Sequence, residues 1–154
     1  MSTFNAKAKE FLAQDRIAVA GVSRAKTDAA ANGIYRQLRE SGHQVFPINP
    51  KAEEVEGDKC YPNVQSIPGG VDGVVIITRP ELTEEIVRDC VEANVPRVWM
   101  HNNTFMESSV SETAVETCRE NDIVVIDGGC PMMFLEFGHK CMRVMLGMMR
   151  RLPA

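Results

Sequence analysis

The chain has 154 residues, a formal net charge of -4, 44% hydrophobic and 25% charged residues. That length supports one domain with a real core and excludes two ordinary ones. The acidic balance excludes bulk nucleic-acid binding, which needs a basic face, and no apolar run reaches the length of a membrane span.

The opening stretch MSTFNAKAKEFLAQDR is polar and amphipathic. It lacks the apolar region of a secretory signal and predicts a first helix over about Thr3 to Gln14. Five cysteines at irregular spacing argue against a disulfide framework and for a reducing, cytoplasmic setting. Short continuous apolar runs then alternate with helical patterns. RIAVAG (Arg16 to Gly21), QVFPIN (Gln44 to Asn49), GVVIIT (Gly73 to Thr78), RVWMH (Arg97 to His101) and IVVID (Ile123 to Asp127) are the runs. Continuous rather than alternating runs suit strands buried on both faces.

Between them, Ile34, Tyr35 and Leu38 form one helical stripe that stops at Gly42. Leu82, Ile86, Val87, Cys90 and Val91 form a second, opened by Pro80 and closed by Pro96. Val110, Ala114, Val115 and Cys118 form a third. The segment EEVEGDKCYPNVQSIPGG reads as a loop with a short helix near Asn63 to Ser66. A last, Met-rich helix is expected over about Met133 to Arg151, flanking a core of about residues 11–131. The alternation predicts an α/β fold: a Rossmann-like, doubly wound, five-stranded parallel sheet in three α/β/α layers, forming a single domain.

In such a sheet the ligand sits beyond the carboxyl ends of the strands, where the strand order reverses. The first loop fails the dinucleotide test, because GxGxxG from Gly21 would need glycine where Ser23 and Lys26 stand. The second carries Asn49, Pro50 and Lys51 where NAD enzymes place a ribose-binding acid. There is no GxxxxGK[ST] loop either. What the loops offer is cations: Arg24 and Lys26 after the first run, Lys51 after the second, Arg79 after the third. A Gly-Val-Ser turn before a helix adds backbone N–H groups, so the loops read either as a phosphate site or as ordinary solvated charge.

In this order, IAVAGVS, VFPINPK, EGDKCYPNVQSIP, VDGVVIITRP and RVWM resemble the CoA-binding domain family. That family comprises the N-terminal domain of succinyl-CoA synthetase alpha subunits and a stand-alone bacterial and archaeal group, to which the chain is more similar. The resemblance spans about Phe11 to Pro131. It implies a Rossmann-like fold with coenzyme A as ligand. It implies a first phosphate loop of Gly21, Val22, Ser23 and Arg24 or Lys26, and nucleotide contacts from Asn49, Pro50 and Lys51. A third loop of Thr78, Arg79 and Pro80 would border the adenine and the start of the pantetheine arm. Cys130, in GGCP, matches a Cys-Pro step after the last strand. The synthetase's second domain, with its phosphorylated histidine, has no match here, so ligase activity is not implied.

His101 ends the fourth run and is expected at the crevice, as a ligand contact or a satisfied loop histidine. Cys130 reads as a small buried residue in a tight turn, or as a thiol that meets the coenzyme's own. No Cys or His spacing suits a metal. The Met-rich last helix has apolar surface to spare, either for the sheet or for a second subunit or protein partner. The expectation is a non-catalytic coenzyme A or acyl-CoA binding protein with a sensing or regulatory role. The alternatives are a nucleotide-dependent enzyme (an oxidoreductase or a CoA-transferring protein) using the same crevice, and an interaction subunit acting through the last helix.

Overall fold

Apolar runs too short for helices and too continuous for a half-exposed sheet must be covered on both sides, and helices do the covering. In chain order the elements are α1 (Phe4–Leu12), β1 (Arg16–Ala20), α2 (Ala30–Glu40), β2 (Gln44–Ile48), β3 (Glu54–Val55), β4 (Asp58–Lys59), β5 (Gly73–Ile76), α3 (Pro80–Glu92), β6 (Arg97–Met100), α4 (Glu112–Glu120), β7 (Val124–Asp127) and α5 (Met132–Leu135). They come from a computed structural model that describes residues 3–25, 29–102 and 107–135. Beyond α5 the expected Met-rich helix lies outside the described residues.

The five longer strands form one parallel sheet in the order β2-β1-β5-β6-β7. The order reverses between β1 and β5, so the loops after those two strands diverge to opposite faces and leave a crevice. Register pairs Ala20 with Ile48 on one side and with Ile76 on the other. The fold is therefore the Rossmann-like five-stranded α/β architecture that the alternation predicts.

Two apolar layers sandwich the sheet. Phe4 and Phe11 of α1, Ile34 and Leu38 of α2, and Ile17, Val19 and Trp99 of the sheet make one. Val87 of α3, Val115 of α4, and Ala18, Ile76, Val98 and Met100 make the other. Trp99 lies fully buried at the centre of the first, with Phe4 and Phe11 edge-on at 6.1 and 5.5 Å, and its indole N–H donates to Gly128 O at 3.0 Å. Cys60 and Cys130 belong to the first layer, Cys90 and Cys118 to the second, and all four are buried. Burial pushes the Cys118 thiol up to about 12 and raises Cys60 and Cys90 as well.

α3 and α4 end alike. Asn94 and Asp122 take left-handed backbone (φ 55° and 57°), and Val95 and Ile123 donate back to the Cys90 and Cys118 carbonyls at 2.9 Å each. One element departs from the sequence expectation. The stretch read as loop contains a hairpin, β3 paired antiparallel with β4 around Glu56-Gly57, both with positive φ (54° and 82°). That is a two-residue turn of the twist that hairpins prefer. Strands of two residues carry no periodicity, which is why the pattern does not reveal them.

Candidate functional site

A cleft of about 630 Å³ opens at the switch point. Its walls are three loops and one helix face. The loop after β1 supplies Gly21, Val22 and Ser23; the loop after β2 supplies Asn49, Pro50 and Lys51; the loop after β5 supplies Thr78 and Arg79. From α3 come Leu82, Glu85, Ile86 and Asp89, spaced so that one side of the helix faces the cleft, and beside them lie Pro62, Asn63 and Val64.

Gly21 forms the floor. Its φ is +104°, and a Cβ there would lie 2.0 Å from Ile77 O. Only glycine permits this approach between the β1 and β5 backbones.

Asparagines fix the loops. Asn49 donates from Nδ2 to Val22 O at 2.9 Å while its Oδ1 accepts the Lys51 N–H at 2.8 Å, so it ties the first loop to the second. Asn32, fully buried on α2, grips Ser23 at both ends of its peptide unit. Its Oδ1 accepts the Ser23 N–H at 2.8 Å, and its Nδ2 donates to Ser23 O at 2.7 Å. The Ser23 amide is thus engaged within the protein rather than held open for a phosphate. On the third loop Thr78 N–H donates to Ser109 Oγ at 3.0 Å, and Thr78 and Thr83 share a hydroxyl hydrogen bond of 3.0 Å.

Charge is unevenly placed. Among the described residues the ion pairs are Arg36–Glu56, Arg39–Asp58 and Arg97–Glu10. Lys51 and Arg79 are in none of them, and both heads are exposed at the cleft. Nearby, α2 begins at Ala30 after Ala29, which offers no side-chain cap, and its first turn has no acid. The far end of the cleft is different: Glu85 and Asp89 stand there among Leu82, Ile86 and Val64.

The remaining sequence candidates lie elsewhere. Arg24 is exposed on the first loop, off the cleft wall, and Lys26 falls outside the described residues. Pro80 is the first residue of α3, half-buried, shaping the third loop rather than lining it. Cys130 is buried in the turn after β7. His101 is 1% exposed, not open on the crevice as its position after β6 suggests, and among the described residues neither ring nitrogen has a hydrogen-bond partner. Burial alone lowers its pKa to about 4.

That shift has a thermodynamic sign. The unfolded His101 takes up a proton near pH 6.5, and the folded one does so only near pH 4. Its contribution is therefore fully present above pH 6.5 and is lost as pH falls towards 4. The change is about 3 kcal/mol over the window. Urea melts of the parent between pH 7 and 4.5 should show a steeper loss of stability than His101→Met, and parallel curves for the two would refute this account.

Among the described residues no group of three or more His, Cys, Asp or Glu could hold a metal ion, and no helix is long and apolar enough to cross a membrane. The residues that sequence reasoning misses are Asn32 and the α3 stripe. The first resembles an ordinary residue of a small-residue helix, and the second reads simply as an amphipathic face.

Comparison with known proteins places the family and the fold. Residues 15–136 match the CoA binding domain family. The chain is 27% identical over 126 residues to YneT of Bacillus subtilis, an uncharacterised protein, covering 81% of this chain and 89% of that one. It is 30% identical over 100 residues to the ADP-forming acetate–CoA ligase I of Archaeoglobus fulgidus, covering 65% of this chain but only 14% of the ligase. Among solved structures, a hypothetical protein from Pyrococcus horikoshii OT3 superposes with a TM-score of 0.75 at 32% identity, over 85% of this chain and 88% of that one.

Proposed function

Because the chain belongs to the CoA-binding domain family, we propose that the three-loop cleft binds coenzyme A or an acyl-CoA thioester. The observation that carries the reading is that two cations from separate loops, Lys51 and Arg79, line a single cleft and are in none of the ion pairs among the described residues. A pyrophosphate and a ribose phosphate need such a cationic end. The other end suits the base: Pro62, Val64, Leu82 and Ile86 offer apolar surface, and the carboxylates of Glu85 and Asp89 repel phosphate. Charge thereby orients the ligand, with phosphates at the strand ends and the base along α3. A cleft of about 630 Å³ lies within the range of roughly 300–1,000 Å³ usual for small-molecule sites.

The protein is read as a non-catalytic binding module with a sensing or regulatory role. The free thiols of Cys60, Cys90 and Cys118 suit a reducing cytoplasm. Titration calorimetry with coenzyme A, acetyl-CoA, NAD and ATP tests the reading. Heat of binding is expected from the two CoA species and not from the other two. Tight NAD binding without CoA binding would favour a nucleotide-dependent enzyme instead.

A further inference from the structure

The loop that floors the cleft is not held by its own strand alone. Asn32 clamps the Ser23 peptide on both sides, and a third bond fixes Asn32: its Nδ2 also donates to Glu56 Oε1 at 2.9 Å. The same oxygen accepts from Arg36 Nη1 at 2.8 Å. Glu56 is half-buried at the tip of the β3–β4 hairpin, with φ at 54°. A non-glycine residue in left-handed backbone is strained and persists only where its surroundings hold it. Arg39 Nη1 does so, donating to Glu56 O and to Asp58 Oδ2, both at 2.8 Å. A continuous line of bonds thus runs from the hairpin tip, through Asn32, to the main chain of the cleft.

We propose that Glu56 is a positioning residue for the ligand loop, acting through Asn32. Glu56 neither lines the cleft nor faces the ligand. Its carboxylate fixes the Asn32 amide in the orientation that accepts from Ser23 N–H and donates to Ser23 O. Without it, Asn32 loses a charge-assisted partner, the amide is free to rotate, and the Ser23 peptide is released to solvent. The consequence for affinity rests on the CoA reading above; the consequence for the loop does not.

Amide hydrogen exchange at Ser23 in the ligand-free protein is the direct test. Glu56→Ala should speed exchange at Ser23 about tenfold or more, and Glu56→Gln, which keeps an oxygen for Asn32, should restore most of the protection. Asp58→Asn is the control: it loosens the hairpin at Tyr35 and Arg39 but leaves Asn32 untouched, so Ser23 protection should hold. Coenzyme A affinity should fall about tenfold in Glu56→Ala and recover in Glu56→Gln. Unchanged Ser23 protection in Glu56→Ala, or equal loss in Asp58→Asn, overturns the inference. A parent that binds no coenzyme A overturns the functional reading instead, and Ser23 exchange still decides this one.

Discussion

Gly21→Ala should lose at least about 3 kcal/mol of stability, the upper end for backbone strain, and melt roughly 10 °C below the parent. Two independent faults combine. The residue sits at φ +104°, which an alanine rarely adopts, and its new Cβ would stand 2.0 Å from Ile77 O and 2.8 Å from Ile77 C. Neither atom can retreat, because Ile77 N–H donates to Ala20 O at 2.9 Å and the β1–β5 pairing continues from there. The substitution therefore attacks the sheet at the point where the cleft is built. Gly57→Ala separates the two faults. Its φ is +82° but nothing lies within 4 Å of the added carbon, so only the conformational cost remains, about 1 kcal/mol. Urea denaturation of the pair should show a clear gap, and equal midpoints would mean that the β1–β5 approach is not rigid.

Removing the cations should act on binding and leave the fold alone. Lys51→Ala and Arg79→Ala should each weaken coenzyme A by about 10- to 150-fold, the equivalent of the 1.5–3 kcal/mol typical of bonds to charged groups. The two come from separate loops, so the double variant should lose roughly the product, unless both heads meet one phosphate. Neither side chain is in an ion pair of the described protein, and the melting temperature should stay within about a degree of the parent. Affinity for the parent should fall with added salt, and less steeply once either cation is gone. Arg79→Lys keeps the charge but not the planar fork and should recover only part of the loss. Calorimetry at two salt concentrations reads all of this; variants that bind like the parent would place the phosphates elsewhere.

The sheet was legible because burial on both faces leaves a continuous apolar run, and each run became a strand. The first four strands end one or two residues earlier than the runs suggest, so that Gly21, Asn49, Thr78 and His101 already belong to the loops. Gly21, Asn49 and Thr78 make the three loop walls of the cleft readable, since an α/β sheet sets its ligand beyond the strand ends. What stayed hidden depends on closure across long stretches of chain. Asn32 lies nine residues from Ser23 and 24 from Glu56, and nothing local in AAANG announces a clamp. The hairpin is too short to show a period. His101 was expected at the crevice from its place after a strand, but loop packing buries it, and packing is a property of the whole fold.

Buried thiols give the molecule a built-in clock. A thiol reacts with an alkylating reagent only as the exposed thiolate, and burial denies Cys60, Cys90 and Cys118 both exposure and charge. Labelling therefore waits on opening, and the two layers open on their own schedules. Cys60 times the departure of α2 and the hairpin from one side of the sheet. Cys90 and Cys118 time the parting of α3 and α4 from the other. The order in which mass is gained at these sites records how the sandwich comes apart, with no probe added by substitution.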